Sequence, residues 1–384
     1  MASLVVDTAP LVLDVGVVLL GAATMGFAAR KVGLPAVVGY LLTGLLVSPF
    51  TPGYVASNDQ LSLLADIGVV LLLFEVGIEI DLRRISREQK ALFWGVPAQV
   101  AIGIAVGTPI FLSLGISLFG SLLIALSVAM SSSVVIVNIT RSRRRKTDSG
   151  TDEALLGWSV MQDVTGVAAA AIIIAVFGES DKPLSLSLAG IVGFVLLAYV
   201  VAKLMPYILR LVRWESDLFL IYSVSIGLSI AALGTVVFGI PMALAGFVAG
   251  LAINQSRDTD DVRKAILPFR DLFAVLFFVI IGSLIEPSRL SDAWPFALLL
   301  LALVIVAKTF PVVILAKVGR LRANPFQLGV GVSQVGEFSF VLGSLAYNQG
   351  AIDRNQFVGI LLAVVISIIG SVLLVRLRPG KSSI

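Results

Sequence analysis

Four polar sites interrupt stretches of the chain that are otherwise apolar: the serines Ser131, Ser132 and Ser133, the neighbours Gln162 and Asp163, the lysine Lys308, and the glutamate Glu337. An ionisable group within such a stretch is costly and calls for a partner or a function. A carboxylate balanced between the cost of burial and the pull of nearby cations can be poised to hold either a proton or a metal ion. Asp163 has that chemistry, and Gln162 beside it offers a neutral oxygen ligand. An Asp163 that carries a proton or a cation is locally neutral, whereas an empty one is charged. If only neutral forms cross a hydrophobic gate, swapping one for the other becomes obligatory. The chain has no histidine and no cysteine, which removes the commonest general base, thiolate ligands and disulfides, so proton chemistry must run on carboxylates, lysine or tyrosine.

The elements that position these groups follow from composition. The 384 residues are 58% hydrophobic and 14% charged, with a mean hydropathy of +1.02. A soluble domain carries about 25% charged residues, so the chain reads as membrane-embedded, and soluble enzymes, nucleic-acid binders and secreted scaffolds are excluded. Breaks in hydropathy delimit thirteen candidate spans, at about 10–29, 34–48, 61–79, 91–114, 118–138, 154–176, 184–209, 216–237, 241–253, 268–285, 294–317, 326–349 and 353–376. With the N-terminus outside, 24 of the 28 basic residues fall on one face, which predicts an inner-membrane protein with its N-terminus out and its C-terminus cytoplasmic. The run Arg141, Arg143, Arg144, Arg145 and Lys146 then sets topology rather than binding a regulator, because Asp148, Asp152 and Glu153 share its loop.

Self-similarity organises the spans. Gly33-Leu34-Pro35 through Gly44-Leu45 matches Gly239-Ile240-Pro241 through Gly250-Leu251 at an offset of 206. Leu72-Leu73-Phe74 before Gly77 matches Leu276-Phe277-Phe278 before Gly282 at an offset of 205, and the same shift sets Ser131-Ser132-Ser133 on Gly336-Glu337-Phe338. The offset crosses seven spans, an odd number, so the copies enter the membrane from opposite sides, as in the inverted repeats of secondary transporters. Repeat 1 covers about 10–176, a linker helix 184–209, and repeat 2 about 216–376. Residues 129–133 and 333–337 are poor mid-membrane helix and are expected to break spans 5 and 12, opening backbone groups to a cavity. Asp163, Lys308, Glu337 and the serines all lie about 20 Å from the outer ends of their spans at 1.5 Å per residue. Lys308 is expected to offset Glu337, directly or through the ends of the broken helices, which leaves Asp163 as the one variable charge.

Together Gly33-Leu34-Pro35 to Ser48-Pro49, Leu71 to Asp81, Met161-Gln162-Asp163, Pro268 to Gly282 and Gln334-Val335-Gly336-Glu337-Phe338 resemble the membrane domain of the cation:proton antiporter-2 family, closest to its Kef-type potassium efflux branch. The resemblance covers essentially the whole chain. It implies an all-α fold of thirteen transmembrane helices, a dimerisation domain plus a mobile core with crossed, broken helices 5 and 12, an elevator-like motion and a homodimer. It also implies that Asp163 is the ion-binding aspartate, that Gln162 stands where sodium-selective relatives carry a second Asp or an Asn, and that Glu337 is the glutamate of the broken helix 12. Departures from the family pattern are the lack of a lysine in 272–285, of a histidine-containing segment in 254–270, and of room after Arg378 for a nucleotide-binding domain. Ligand gating would then need either a longer chain of which this is a part or a separate regulatory subunit. The expected function is electroneutral exchange of a monovalent cation, K+ favoured and Na+ open, for a proton, with no cofactor. The alternatives are a channel of the same fold without proton coupling, and an intramembrane hydrolase, which the sequence furnishes with neither a paired base nor a Gly-x-Gly-Asp aspartate. A pure sensor or scaffold would leave the midplane carboxylates unexplained.

Overall fold

The computed structural model describes residues 9–79, 90–141, 147–178, 184–212, 214–254, 259–336 and 338–377. Glu337 lies outside the described residues, as do most of the 141–146 run and the ends of the chain. Among the described residues the regular structure is helical throughout. The helices are α1 Ala9–Val32, α2 Ala36–Leu46, α3 Asn58–Glu79, α4 Leu92–Ser113, α5 Leu118–Ala129, α6 Ser133–Arg141, α7 Ser149–Phe177 and α8 Leu184–Val212. After them come α9 Ser216–Val236, α10 Met242–Asn254, α11 Thr259–Ser283, α12 Leu290–Leu303, α13 Phe310–Val318, α14 Pro325–Gly331, α15 Phe338–Asn348 and α16 Arg354–Leu377. Nine of these stretches, among the described residues, are long and apolar enough to cross a membrane, with α12 and α13 counted as one. Shorter apolar helices occur at Ala36–Leu46, Leu118–Ala129 and Met242–Asn254.

The chain divides into two compact units, one formed by 1–79 and 192–287 and the other by 80–191 and 288–384. Each unit therefore takes half of each sequence repeat, so the repeats interleave rather than standing side by side. The boundary at 191/192 falls inside α8.

In the first unit the repeat is visible atom by atom. Gly33 ends α1 with φ +89°, and Gly239 follows α9 with φ +71°, the left-handed geometry that glycine adopts without a Cβ penalty. A methyl group placed on Gly44 of α2 would lie 2.0 Å from the Val279 carbonyl oxygen and 2.8 Å from Cα of Gly282, both on α11. The same group on Gly250 of α10 would lie 2.0 Å from the Phe74 oxygen and 2.9 Å from Cα of Gly77, both on α3. Each contact is the other with the roles exchanged at offsets of 206 and 205, as a pseudo-two-fold axis requires. Glu75 of α3, its side chain 3% exposed, is bound by Arg263 Nε at 2.8 Å and by Arg270 at 3.0 Å, so that α11 carries both counter-charges of this buried carboxylate.

The second unit repeats the same relation. Beyond the end of α4 lies Gly115, with φ +79° and a bond from Ile116 N to Phe111 O, whereas beyond the end of α13 lies Arg320, with φ +49° and a bond from Leu321 N to Ala316 O. The offset is again 205, but the second copy holds an arginine where the backbone favours glycine.

Candidate functional site: two interlocked helix breaks

Spans 5 and 12 are broken where their sequences predict, α5 stopping at Ala129 and α6 starting at Ser133, α14 stopping at Gly331 and α15 starting at Phe338. A helix end leaves backbone carbonyls without intrahelical donors, and in an apolar interior every one of them needs a partner. The two breaks supply partners to each other. Gly336 N donates to Met130 O at 3.2 Å, Ser131 Oγ donates to Val332 O at 2.8 Å, and Gln334 Nε2 donates to Ser132 O at 3.3 Å. A Cβ on Gly336 would fall 2.6 Å from the Ser131 carbonyl, so only glycine admits this approach. Ser131 and Gly336 are equivalent residues of the two repeats, and equivalents that touch must straddle the pseudo-two-fold axis.

Lys308 joins the breaks from a third element. Between α12 and α13 the chain makes a π turn, Val304–Thr309, and Lys308 within it is fully buried. Its amino nitrogen donates to Met130 O and to Gln334 O, at 2.6 Å each, so one side chain serves a carbonyl from either break. The expected offset between Lys308 and Glu337 involves a residue outside the described ones; what the structure shows is Lys308 bound to a carbonyl from each break. The sequence predicts one continuous span over 294–317 and does not announce the π turn, a feature frequent at functional sites.

The side of the first break facing α7 is polar. Asp163 is 7% exposed and Gln162 fully buried, and one turn further a Cβ on Gly166 would meet the Met130 sulfur at 2.3 Å, so this stretch of α7 packs on the break. Gln162 Nε2 donates to Ala129 O at 3.0 Å and to Gln99 Oε1 at 2.5 Å, while Gln162 Oε1 is buried without a hydrogen-bond partner among the described residues. The structure thus brings together Gln162, Ser131, Ser132 and Lys308 at the breaks, with Asp163 adjoining Gln162 on α7. Ser131 is spent on Val332 O, and Ser132 Oγ accepts from Val135 N at 3.2 Å, so these two hydroxyls hold the break geometry in this structure. Ser133 opens α6. Gln99, Trp158 and Ser367 are not among the residues the sequence singles out as candidates, and Gln334 enters there only as part of the second break. Ser367 Oγ, for example, accepts from Val335 N at 2.9 Å. The signal that could have found Gln99 is a carboxamide in the middle of an apolar span. Among the described residues no three acidic, histidine or cysteine side chains gather as a metal cluster.

Helical spans, interleaved repeats and two mutually satisfied helix breaks beside a buried carboxylate are the architecture found in secondary transporters. The chain belongs to the sodium/hydrogen exchanger family, whose transmembrane family model matches residues 16–377. It is 28% identical over 342 residues to the putative cation/proton antiporter YbaL of Escherichia coli strain K12, an alignment covering 84% of this chain. The chain spans 60% of the length of that relative. Its fold is similar to the sodium proton antiporter MjNhaP1 of Methanocaldococcus jannaschii at pH 8, with a TM-score of 0.75 at 17% identity over 96% of this chain and 99% of that one. A second structure of MjNhaP1, from an electron-microscopy map, gives a TM-score of 0.60 at 16% identity over 94% and 93%.

Proposed function

We propose that this protein is a monovalent cation:proton antiporter working by alternating access, in which a proton and a cation compete for Asp163. The observation that carries the reading is the Gln162–Asp163 pair, a buried carboxylate that follows in sequence a residue whose carboxamide oxygen is buried without a hydrogen-bond partner among the described residues. Family membership and the likeness to YbaL support the exchange. The neutral Gln162 oxygen, in place of a second charge, supports K+ over Na+. Charge counting supports one-for-one exchange: with Lys308 engaged by the breaks and Glu337 held as compensating charge, Asp163 alone changes its state. The distribution of basic residues supports a plasma-membrane protein with its C-terminus in the cytoplasm, which a reporter fused after Ser383 and active only on the outside would overturn. A homodimer completes the proposal; crosslinking in native membranes that returns only monomers contradicts it.

The test is proton flux in liposomes driven by imposed gradients of Li+, Na+, K+ or Rb+, with the membrane potential clamped by an ionophore. Asp163→Asn should abolish the flux while the protein still assembles, because an amide neither carries the proton nor neutralises the cation. Wild-type rates in an assembled Asn variant would move the site elsewhere. A cation current without coupled proton movement would favour the channel.

A further inference from the structure

Gln99 lies on α4, fully buried, and makes no contact with solvent. Its carboxamide has an oxygen and a nitrogen of nearly the same shape, so chemistry rather than size must decide which way it faces. The fully buried Trp158 indole can only donate, and its Nε1 reaches Gln99 Oε1 at 3.4 Å. The Ala129 carbonyl can only accept, and Gln99 Nε2 donates to it at 3.2 Å. Both neighbours therefore demand the same orientation. The Gln162 carboxamide in turn meets two acceptors on this side, Gln99 Oε1 and Ala129 O, and must present its nitrogen to them. Its oxygen is thereby forced to the other side, where it is buried without a hydrogen-bond partner among the described residues.

We infer that Gln99 is a positioning residue for cation selectivity: with its polarity fixed by Trp158 and Ala129, it locks the Gln162 carboxamide so that Oε1, next in the chain to Asp163, is presented to a dehydrated monovalent cation. Without Gln99 the Gln162 nitrogen keeps one acceptor rather than two. The flipped carboxamide, which would turn donor hydrogens towards the cation, then becomes accessible. This inference rests on the proposed role of Asp163 and Gln162 and deepens it. It assigns no role to Gln99 in carrying the proton.

The experiment measures KM and maximal rate for Na+, K+ and Rb+ in proteoliposomes of the parent, Gln99→Leu, Gln99→Met, Gln162→Leu and the Gln99→Leu/Gln162→Leu double variant. Loss of one hydrogen bond corresponds to ~3–10-fold in affinity. The expected result is a rise of that size in the KM for the preferred cation in Gln99→Leu, with altered KM ratios between cations and a maximal rate within about twofold, the scale of factors that leave catalysis intact. Because Gln99 acts through Gln162, the double variant should be no worse in KM than Gln162→Leu alone. If Gln99→Leu does not assemble, Gln99→Met, which keeps the length and apolar volume of the side chain, carries the same expectation. Unchanged KM ratios in an assembled Gln99 variant, additive losses in the double variant, or failure of both Gln99 variants to assemble would make Gln99 a packing residue and overturn the inference. A parent protein without cation-driven proton flux would instead overturn the proposed function, so the two failures are distinguishable.

Discussion

Removing the Lys308 ammonium while keeping its stem, as in Lys308→Met, tests how the breaks are held. Two hydrogen bonds of 2.6 Å run from this buried nitrogen to Met130 O and Gln334 O. A hydrogen bond to a charged group contributes about 1.5–3 kcal/mol. Two of them set a ceiling near 3–6 kcal/mol, which the desolvation of the ammonium reduces. Met130 O retains its bond from Gly336 N, so the loss falls mainly on Gln334 O. The helix-end electrostatics add to it: α5 terminates immediately before Met130, and a helix C-terminus carries roughly −0.5 of a charge. We expect Lys308→Met to lose about 3–4 kcal/mol, read by equilibrium unfolding in mixed detergent micelles, and Lys308→Ala to lose more through its cavity. Adding Glu337→Gln to Lys308→Ala should recover part of the loss by removing a carboxylate that has lost its compensating charge. A Lys308→Met protein within 1 kcal/mol of its parent, the scale of an ordinary substitution, would refute the reasoning, since the break carbonyls would then not depend on this cation.

Gly44→Ala and Gly250→Ala each drive a methyl group into a facing backbone and should cost about 2–3 kcal/mol apiece, in similar amounts because the contacts are related by the repeat; a large cost at one and none at the other, by the same unfolding assay, contradicts the symmetry. Arg320→Gly relieves a left-handed non-glycine residue and should stabilise the second unit by about 1 kcal/mol, visible as a higher melting temperature; a lower one would show that the arginine side chain outweighs the strain. Glu75→Gln leaves Arg263 and Arg270 without their shared carboxylate and should destabilise by about 2–3 kcal/mol, less than a fully buried pair because both arginines reach solvent; loss of the difference from the parent on raising salt concentration alone would place the effect at the surface instead.

The spans and their breaks were legible because hydropathy and glycine, serine and glutamine placement act locally. Ser131 to Ser133 and Ser333 to Glu337 announce the breaks by composition, and the Gly44/Gly250 pair announces the repeat by offset. Three features were not legible, each because it depends on which chain segments meet. The interleaving of the repeats into two units follows from packing between α2 and α11 and between α3 and α10, which no single segment encodes. The orientation of the carboxamides follows from Trp158 and Ala129, 59 and 30 residues from Gln99 along the chain. The Val304–Thr309 sequence has nothing in its composition to distinguish a π turn from an α turn, and only the lysine within it marks the place.

That turn has a consequence for lineage. A π turn holds one residue more than the α turn it replaces, and the Thr309 hydroxyl bonded to Val304 O at 2.9 Å, five positions back, follows the wider spacing. One residue is about 100° of rotation at 3.6 residues per turn, so the surplus turns every side chain beyond it onto a different face of the same rod. The feature has the form of a single-codon insertion retained in a helix. Deleting one residue between Val304 and Ala307 would restore a regular helix and swing the face of α13 with no change in hydropathy. A relative one residue shorter at this point would therefore have to bring its cation to the carbonyls from another position.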